Sequence, residues 1–353
     1  MDIERNNSLK ELASGVDALY LTGRGVLTSA LVEDLERART LASVNRDPVP
    51  LTLGNEQFLV GWGPLNKHRF RLEHRHAMVG MTYSDNLPTV FVQPHAEFIH
   101  AVGIEAVVKW CRETFAAILG HIDWQVSRMD LFVDVQGWSL VAEDRRDFVS
   151  RAKARRTWED DEDLTGLGWG AGNAILARIY DKTLESLQKG TDWWPSVWGD
   201  AYKPGDRVVR VEFQLRRDAL RDFGLSDPDD VLRNRRTLWK YLTGEWLSLR
   251  EPSGDSNRSR RPVSDDWRRI QDAQLAGAPI GDELVRIGSR EGSLRILLPA
   301  LIGYATAAGA HFDARTIEEL LVVLKSVMTK DEHVRGVSIE HRLAIQRRRL
   351  GLA

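Results

Sequence analysis

The sequence predicts an α+β protein with a mostly antiparallel central sheet, helices on one face of that sheet, and a C-terminal all-helical module. Strand-like segments outnumber helical ones over roughly the first 220 residues. After a polar stretch rich in Pro, Gly and Ser, the remaining chain has helical periodicity. The apolar content of 42% and charged content of 28% are typical of a soluble, globular protein.

The first half begins with one strand and one helix. "GVDALYLT" (15–22) alternates and is rich in β-forming residues, so it predicts a strand. A helix over 29–42 follows, because its leucines and alanines recur at helical spacing. Shorter strands are then predicted at 56–62, 68–74, 77–84 and 89–93.

The second half repeats this plan. An amphipathic helix at 103–120 ends at a glycine, and the alternating segment 124–135 predicts a strand. A helix is predicted over 139–156, followed by strands at 174–183 and 206–216. Because each half starts from a strand and a helix, the pattern suggests an old duplication.

Composition shifts divide the chain into three parts. Residues 1–250 form the predicted main domain, 251–266 a linker or exposed loop, and 267–353 the helical module. The helices predicted from 265 onwards are 265–276, 280–288, 291–309, 314–328 and 332–349.

Several protein classes are excluded. The single cysteine, Cys111, leaves no disulfide framework and no cysteine-rich zinc site. The N-terminus has no apolar signal core, so a cytoplasmic location is expected. The most apolar run, "LRILLPALIGYATAAGA", is short and contains Arg295 and Pro299, so we predict a buried helix and no membrane association.

Charge is clustered although the net charge is only −2. Such clustering can present one basic face on a nearly neutral protein, which would suit nucleic acid. The alternative is that each run is an ordinary solvated helix face. The basic runs are 67–76, 145–156, 207–217, 233–236, 258–261 and 347–349, and the acidic runs are 159–163 and 227–230.

Three predicted strands carry unusual polar faces, because alternate residues of a strand point to the same side. The strand at 124–135 has an apolar opposite side that must face the core. The polar faces hold Arg128, Asp130 and Asp134 in the first strand, Arg178, Tyr180 and Lys182 in the second, and Arg210, Glu212, Gln214 and Arg216 in the third.

These faces suggest a metal and a nucleophile. Asp130, Asp134 and Glu212 would form an oxygen cage for Mg²⁺ or Mn²⁺, which can polarise a phosphoryl oxygen. Tyr180 would attack phosphorus, and Arg178 and Lys182 would favour its phenolate or hold the phosphate. The alternative is that Arg and Asp or Glu simply pair across the strands of a solvated face.

The ordered motifs resemble the replication initiation factor family. This family includes rolling-circle initiators of staphylococcal-type plasmids and related relaxases of integrative conjugative elements. The similar residues follow the pattern R-x-D-x-x-x-D, then R-I-Y-x-K, then R-x-E, and the resemblance covers roughly 14–265. "LTGEWLSLREPSGDSNRSRRP" also resembles members from actinobacterial mobile elements.

The resemblance implies a specific chemistry. Such proteins nick one strand at an origin, and a tyrosine, here Tyr180, stays joined to the 5′ phosphate. The free 3′ hydroxyl then serves a polymerase. Carboxylates, here Asp130, Asp134 and Glu212, would hold the metal in place of the His-hydrophobic-His motif of better-known nicking enzymes. "HRH" (74–76) lies outside the motif strands.

The expected partner is single-stranded or melted origin DNA. Phosphate contacts are expected from Arg128, Arg210, Arg216, Lys153, Arg155 and Arg156. The loop "TDWWPSVWGDAY" (191–202) would either stack bases or be anchored by burying its own tryptophans. A helicase, a host polymerase and a second copy of the chain are further expected partners.

Several alternatives remain open at this point. A conjugative relaxase would use the same chemistry, whereas a non-catalytic DNA-binding regulator would use none of it. In a hydrolytic metal nuclease the carboxylates would activate water and Tyr180 would be structural. Tyr20, Tyr83 and Tyr241 are rival nucleophiles, although none of them is bracketed by cations as Tyr180 is.

Overall fold

The computed structural model describes residues 9–138, 141–161, 163–275, 277–278 and 290–349. The chain divides into two compact units, Met1–Arg286 and Ile287–Ala353. The first unit combines a large antiparallel sheet with helices and the second is helical, so the predicted α+β class is confirmed.

Eleven strands of the described chain form one antiparallel sheet, in the order β2-β3-β4-β5-β6-β1-β7-β12-β11-β10-β9. A separate two-stranded sheet pairs β8 with β13. The strands are β1 Lys10–Arg24, β2 Val49–Leu53, β3 Glu56–Gly61, β4 Phe70–His74, β5 Ala77–Met81, β6 Val90–Pro94, β7 Asp123–Gln136, β8 Phe148–Ser150, β9 Arg155–Asp160, β10 Asp163–Trp169, β11 Ile175–Asp181, β12 Val208–Arg216 and β13 Leu247–Leu249.

The strand order repeats between the two halves of the large sheet. From β1 outwards the chain order runs backwards through β6, β5, β4, β3 and β2. From β7 outwards it runs backwards through β12, β11, β10 and β9, and β8 belongs to the separate sheet with β13. The long strands β1 and β7 pair with each other at the centre. This repeated winding supports the duplication that the sequence pattern suggested.

Nine helices of the described first unit surround this sheet. Two of them start at clear caps: the Thr28 side chain accepts from the Leu31 amide, and Asp181 accepts from the Leu184 amide. The helices are α1 Ser29–Asn45, α2 Ala96–Val102, α3 Ile104–Leu119, α4 Lys182–Lys189, α5 Trp194–Trp198, α6 Arg217–Asp222, α7 Pro228–Arg233, α8 Arg235–Tyr241 and α9 Asp265–Gln271.

The two faces of the sheet differ in what covers them. On the core face, Phe213 of β12 meets the rings of Trp239 and Trp246 at 5.4 and 6.1 Å between centroids. On the opposite face, the short helix α5 packs Trp194 and Trp198 into a small separate cluster. The prediction of helices on one face therefore holds for the main core, while α4 and α5 lie on the other face.

The predicted helix over 139–156 is wrong. The chain instead forms a 3-10 turn at Ala142–Arg146, then β8, and then β9 at the edge of the large sheet. Phe148 is fully buried against the rings of Trp169 and Trp267, at 4.6 and 5.4 Å. This tertiary burial and the pairing of β9 with β10 outweigh the helical propensity of the charged residues.

The predicted boundary at 266/267 is also wrong. Residues 251–261 form a mostly exposed loop, closed by a hydrogen bond of 2.9 Å from the Glu251 amide to the Pro262 carbonyl. Helix α9 follows, with Trp267 fully buried and its indole nitrogen donating to the Thr243 carbonyl at 2.8 Å. Because this tryptophan fills the core, α9 belongs to the first unit. The helix predicted at 280–288 lies outside the described residues.

The second unit contains α10 Arg290–His311, α11 Ile317–Arg335 and α12 Ile339–Arg349. A capping box of Thr316 and Glu319 starts α11, which ends at the left-handed Gly336. No helix in the described part of the chain is long and apolar enough to cross a membrane.

Candidate functional site

A cavity of about 720 Å³ opens on the face of the sheet opposite the main core. It lies over the centre of the sheet and reaches the β9–β10 edge. Its polar and aromatic lining includes Asp17, Tyr20, Arg128, Asp130, Trp158, Arg178, Tyr180, Lys182, Glu185 and Glu212.

Strand register brings the three predicted polar faces together. Tyr180 of β11 lies opposite Arg210 of β12, which lies opposite Asp134 of β7. Two residues away along the same two strands, Arg178 lies opposite Glu212. Directly paired residues of neighbouring strands share a face, so these side chains form one continuous surface.

The Tyr180 hydroxyl donates a hydrogen bond of 2.8 Å to Oε2 of Glu212. Burial and the Glu212 charge raise the pKa of Tyr180 well above its usual range. Of the nearby cations, Arg210 acts to lower this pKa, but its effect is smaller than those of burial and Glu212. A carboxylate in contact with the phenol is nevertheless placed to accept its proton.

Asp130 and Glu212 share one cation. The Arg178 guanidinium contacts Oε1 of Glu212 and lies 3.6 Å from Oδ2 of Asp130. Arg128 also binds Asp130, with its Nε 2.8 Å from Oδ1. Burial raises the pKa of Asp130 to about 7 despite Arg128, and the nearby Glu212 charge adds to this effect. Two neighbouring carboxyl groups of this kind can divide acid and base roles.

Asp134 and Arg210 form a buried structural pair. Arg210 Nε and Nη2 donate to the two oxygens of Asp134 at 2.6 and 2.7 Å, and the Trp198 indole donates to Oδ2 at 2.8 Å. Both side chains are inaccessible to solvent. The Arg210 guanidinium lies 4.1 Å from the ring centroids of both Phe132 and Trp194. The predictions of Asp134 as a metal ligand and Arg210 as a DNA contact are therefore wrong.

The tryptophan loop at 191–202 is anchored by burying its own side chains. Trp194 and Trp198 are 2% and 3% exposed and cover the Asp134–Arg210 pair. Of the two interpretations of this loop, the structure supports burial. Trp193 is half-buried and lines the cavity.

Lys182 does not share a strand face with Tyr180 as predicted, because β11 ends at Asp181 and Lys182 starts α4. Its ammonium lies 2.6 Å from Oε2 of Glu185 and 4.3 Å from the Trp194 ring centroid. Burial lowers the pKa of Lys182, and the Arg210 charge adds to this effect. The lysine lines the cavity as one partner of an ion pair.

The remaining predicted DNA contacts are dispersed. Arg216 is exposed and lies opposite Arg128 in the β12–β7 register, at one end of the cavity face. Arg156 is exposed and shares that face through Gly168, whereas Arg155 lies opposite the buried Trp169 and alternates to the other side. Lys153 is exposed in the turn before β9.

Sequence reasoning missed Asp17 as a site residue. Its Oδ1 accepts from Arg210 Nη1 at 2.8 Å and from His100 Nε2 at 3.2 Å. Although burial acts to raise it, Arg210 and His100 hold the pKa of Asp17 below its usual range. A β-bulge between Val16 and Ala18 turns Asp17 to the cavity, and strict alternation cannot predict this.

Tyr20 also lines the cavity. The Arg128 guanidinium lies 4.8 Å from its ring centroid, and Arg128 Nη1 donates to its hydroxyl at 3.4 Å. Burial raises the pKa of Tyr20. The alternating pattern of β1 indicates that Tyr20 faces away from the core, whereas its place beside Arg128 follows from the pairing of β1 with β7.

The cavity offers few side chains that could ligate a metal ion. In the described ranges, no three or more His, Cys, Asp or Glu side chains are grouped so that they could hold a metal ion. Asp134 is saturated by Arg210 and Trp198. Of the predicted ligands, Asp130 and Glu212 line the cavity, where their oxygens contact Arg128, Arg178 and Tyr180. His74 of the "HRH" segment is bound to Glu56 at 3.2 Å, outside this cavity.

Comparisons with known proteins give partial similarity. No family model matches the chain. An uncharacterised protein, ORF430 of Pseudomonas phage Pf1, is 30% identical over 160 residues. That match covers 37% of this chain and 37% of the phage protein, so the chain spans little more than a third of its curated relative. The rolling-circle replication initiator protein from Geobacillus stearothermophilus has a TM-score of 0.45 and 19% identity, covering 78% of this chain and 100% of that chain.

Proposed function

We propose that this protein is a DNA-nicking and -joining enzyme that initiates rolling-circle replication of a plasmid, phage or integrative element. The observation that carries the proposal is the 2.8 Å hydrogen bond from the Tyr180 hydroxyl to Glu212 inside a cavity lined by arginines. A nucleophile in contact with its base is the arrangement that covalent catalysis requires. The partial similarity to a phage protein supports a mobile genetic element as the source.

The proposed step is a transesterification. Glu212 accepts the phenolic proton as the Tyr180 oxygen attacks the phosphorus of the scissile phosphodiester. A bond forms between the tyrosine oxygen and the 5′ phosphate, and the bond from phosphorus to the 3′ oxygen breaks. Asp130, whose pKa is near 7, donates a proton to the departing 3′ oxygen. Reversal of these transfers rejoins the strand.

The cations at the site would orient the phosphate. Arg178 already bridges the two carboxyl groups, and Arg128 holds Asp130. As a phosphate enters, its oxygens can replace one carboxylate as the partner of Arg178, which stabilises charge in the transition state. The same contacts would keep the DNA backbone in register with Tyr180.

A divalent cation, Mg²⁺ or Mn²⁺, would be held by the charged forms of Asp130 and Glu212, and Asp130 would then not serve as the proton donor. Magnesium sites often use one or two carboxylates together with substrate phosphate oxygens and water. When bound, the cation would supply charge stabilisation at the phosphoryl group. We therefore expect Asp130→Asn to alter the Mn²⁺ dependence of cleavage. The matched Asp134→Asn should leave it unchanged in the folded fraction.

Trapping the covalent adduct tests the proposal. End-labelled single-stranded oligonucleotides from the element that encodes the protein are incubated with Mn²⁺ and separated under denaturing conditions. The wild type should form a protein–DNA adduct, and mass spectrometry should place the 5′ phosphate on Tyr180. Tyr180→Phe should form no adduct and should still bind DNA, whereas Tyr20→Phe should still form the adduct.

The alternatives predict other results. Cleavage without any adduct would indicate a hydrolytic nuclease, and binding without cleavage in several metals would indicate a non-catalytic regulator. An adduct at Tyr20 would reject our nucleophile. A conjugative relaxase would form the same Tyr180 adduct, so the origin sequence that is cleaved must distinguish that role from replication initiation.

A further inference from the structure

The chain has two exposed tryptophans, and one of them lines the cavity. Ten of the chain's 12 tryptophans are buried or half-buried, whereas Trp62 and Trp158 are each 40% exposed. Trp158 lies on the edge strand β9 and lines the cavity that contains Tyr180. Trp62 follows β3 in the other half of the sheet and does not line this cavity. The two residues therefore form a matched pair.

The Trp158 ring rests on a glycine floor. Gly166 and Gly168 of β10 lie on the cavity face, and a Cβ added at Gly168 would come 2.7 Å from Cη2 of Trp158. A Cβ added at Gly166 would come 3.2 Å from Cε3 of the same ring. The six-membered ring therefore packs against bare backbone, which is possible only because both positions lack side chains.

This aromatic surface lies in register with the nucleophile. Trp158 is opposite Gly166, and Gly166 is opposite Tyr180, so the three residues form one row across β9, β10 and β11. Neighbouring strands are about 4.8 Å apart, so the backbones at Trp158 and Tyr180, two strands apart, are separated by roughly 10 Å. Only glycine stands between them in this row.

The charges near Trp158 favour a base over a phosphate at this edge. Glu159 and Asp160 line the cavity beside the tryptophan, where they would repel the DNA backbone. The arginines Arg156 and Arg178 lie in the neighbouring row, one on each side of Gly168, and Arg128 lies further across the sheet. An uncharged nucleobase can approach the indole while its phosphates stay with the arginines.

We propose that Trp158 is the stacking platform for one base of the single strand next to the phosphate that Tyr180 attacks. This inference rests on the proposed function and deepens it. Aromatic faces stack bases of any sequence, so the platform would position the strand without reading it. Because Gly166 and Gly168 have no side chains, the Trp158 ring lies close to the backbone of β10.

Binding of single-stranded DNA tests the platform. Fluorescence anisotropy is measured with the cleaved oligonucleotide, intact or with one abasic site at each position in turn. We expect Trp158→Ala to weaken binding roughly 5- to 150-fold. Trp158→Phe should retain most of the affinity, and the matched control Trp62→Ala should match the wild type.

A double-mutant cycle identifies the stacked base. One abasic position should weaken wild-type binding about as much as Trp158→Ala does, and it should weaken the Trp158→Ala variant little further. Gly168→Ala should displace the ring and reduce affinity in the wild type but not in the Trp158→Ala background. The proposal is overturned if, at every position, an abasic site weakens DNA binding by the Trp158→Ala variant as much as it weakens binding by the wild type.

The outcomes separate this inference from the proposed function. If no DNA forms an adduct or binds the wild type, the nicking function itself fails, and the platform fails with it. If the Tyr180 adduct forms and Trp158→Ala binds as tightly as Trp62→Ala, only the platform is rejected. Thermal unfolding of each variant establishes that it is folded; should Trp158→Ala be unfolded, Trp158→Phe and Gly168→Ala carry the test.

Discussion

The two halves of the sheet have the same winding and very different chemistry. The half from β7 to β12 places Tyr180, Glu212 and the buried Asp134–Arg210 pair on the cavity face. The half from β1 to β6 places an Arg71–Glu73 pair on that face, with side chains 43% and 33% exposed. Topology alone therefore does not make the site.

The difference lies in what covers each half. Helix α5 covers the second half with Trp194 and Trp198, and these tryptophans exclude water from Arg210. Charges without water depend strongly on their partners, so their pKa values move and their losses are costly. The Arg71–Glu73 pair stays in contact with solvent, where its net contribution is small. Both halves have the same strand order, but the half that α5 covers contains the site.

Removing the proposed base should have the largest effect. We expect Glu212→Gln to lower the rate of adduct formation by about 10²–10⁴-fold, because the amide cannot accept the Tyr180 proton. Single-turnover kinetics with a labelled oligonucleotide measure this rate. The matched control, Glu73→Gln in the other half, should leave the rate unchanged, and equal rates in both variants would exclude Glu212 as the base.

Removing the buried cation should have the next largest effect. Arg210→Met leaves Asp134 and Asp17 without their shared partner and should lower the free energy of unfolding by about 3–5 kcal/mol. Arg71→Met, in the exposed pair, should cost about 1 kcal/mol or less. Urea denaturation of both variants gives the comparison, and similar losses would show that the covering by α5 has no energetic consequence.

A pH effect at Asp130 should be smaller. Its folded pKa of about 7 lies above the unfolded value, so its stabilising contribution is complete below about pH 4 and is lost as the pH rises towards 7. Asp130→Asn should remove this loss, so between pH 5 and pH 8 the variant should lose on the order of 2 kcal/mol less stability than the wild type.

Thermal unfolding at pH 5 and pH 8 measures the effect. Asp123→Asn is the control on the same strand, because the Asp123 side chain is 78% exposed and should leave the pH dependence unchanged. If the stability of the wild type and of Asp130→Asn changes by the same amount between pH 5 and pH 8, the raised pKa of Asp130 is contradicted.

Alternation in the sequence was enough to find the site face. Met129 and Leu131 point to the core while Asp130 and Asp134 point away, as the period of two requires. It was not enough to separate the cavity residues from the buried pair. Asp134 and Arg210 look like Asp130 and Arg128 in the sequence, and only the tryptophans of a later segment distinguish them.

Other failures have equally local causes. The charged segment before β9 has no strong alternation, so the sequence favoured a helix over 139–156 and predicted no strand at Trp158. A visible signal was the spacing of Gly166 and Gly168 one strand later, since paired glycines in a strand indicate a close approach by a neighbour. The bulge that re-aims Asp17 left no such sign.

The sequence by itself determined the α+β class, the positions of the central strands along the chain, and which side chains leave the core, because these follow from local periodicity. Tertiary structure alone decided which carboxylates line the cavity, that Tyr180 bonds to Glu212, and that Arg210 is buried beneath Trp194. The physical reason is that burial and pairing depend on groups far apart in the chain, such as Asp17 and Arg210 or Asp134 and Trp198.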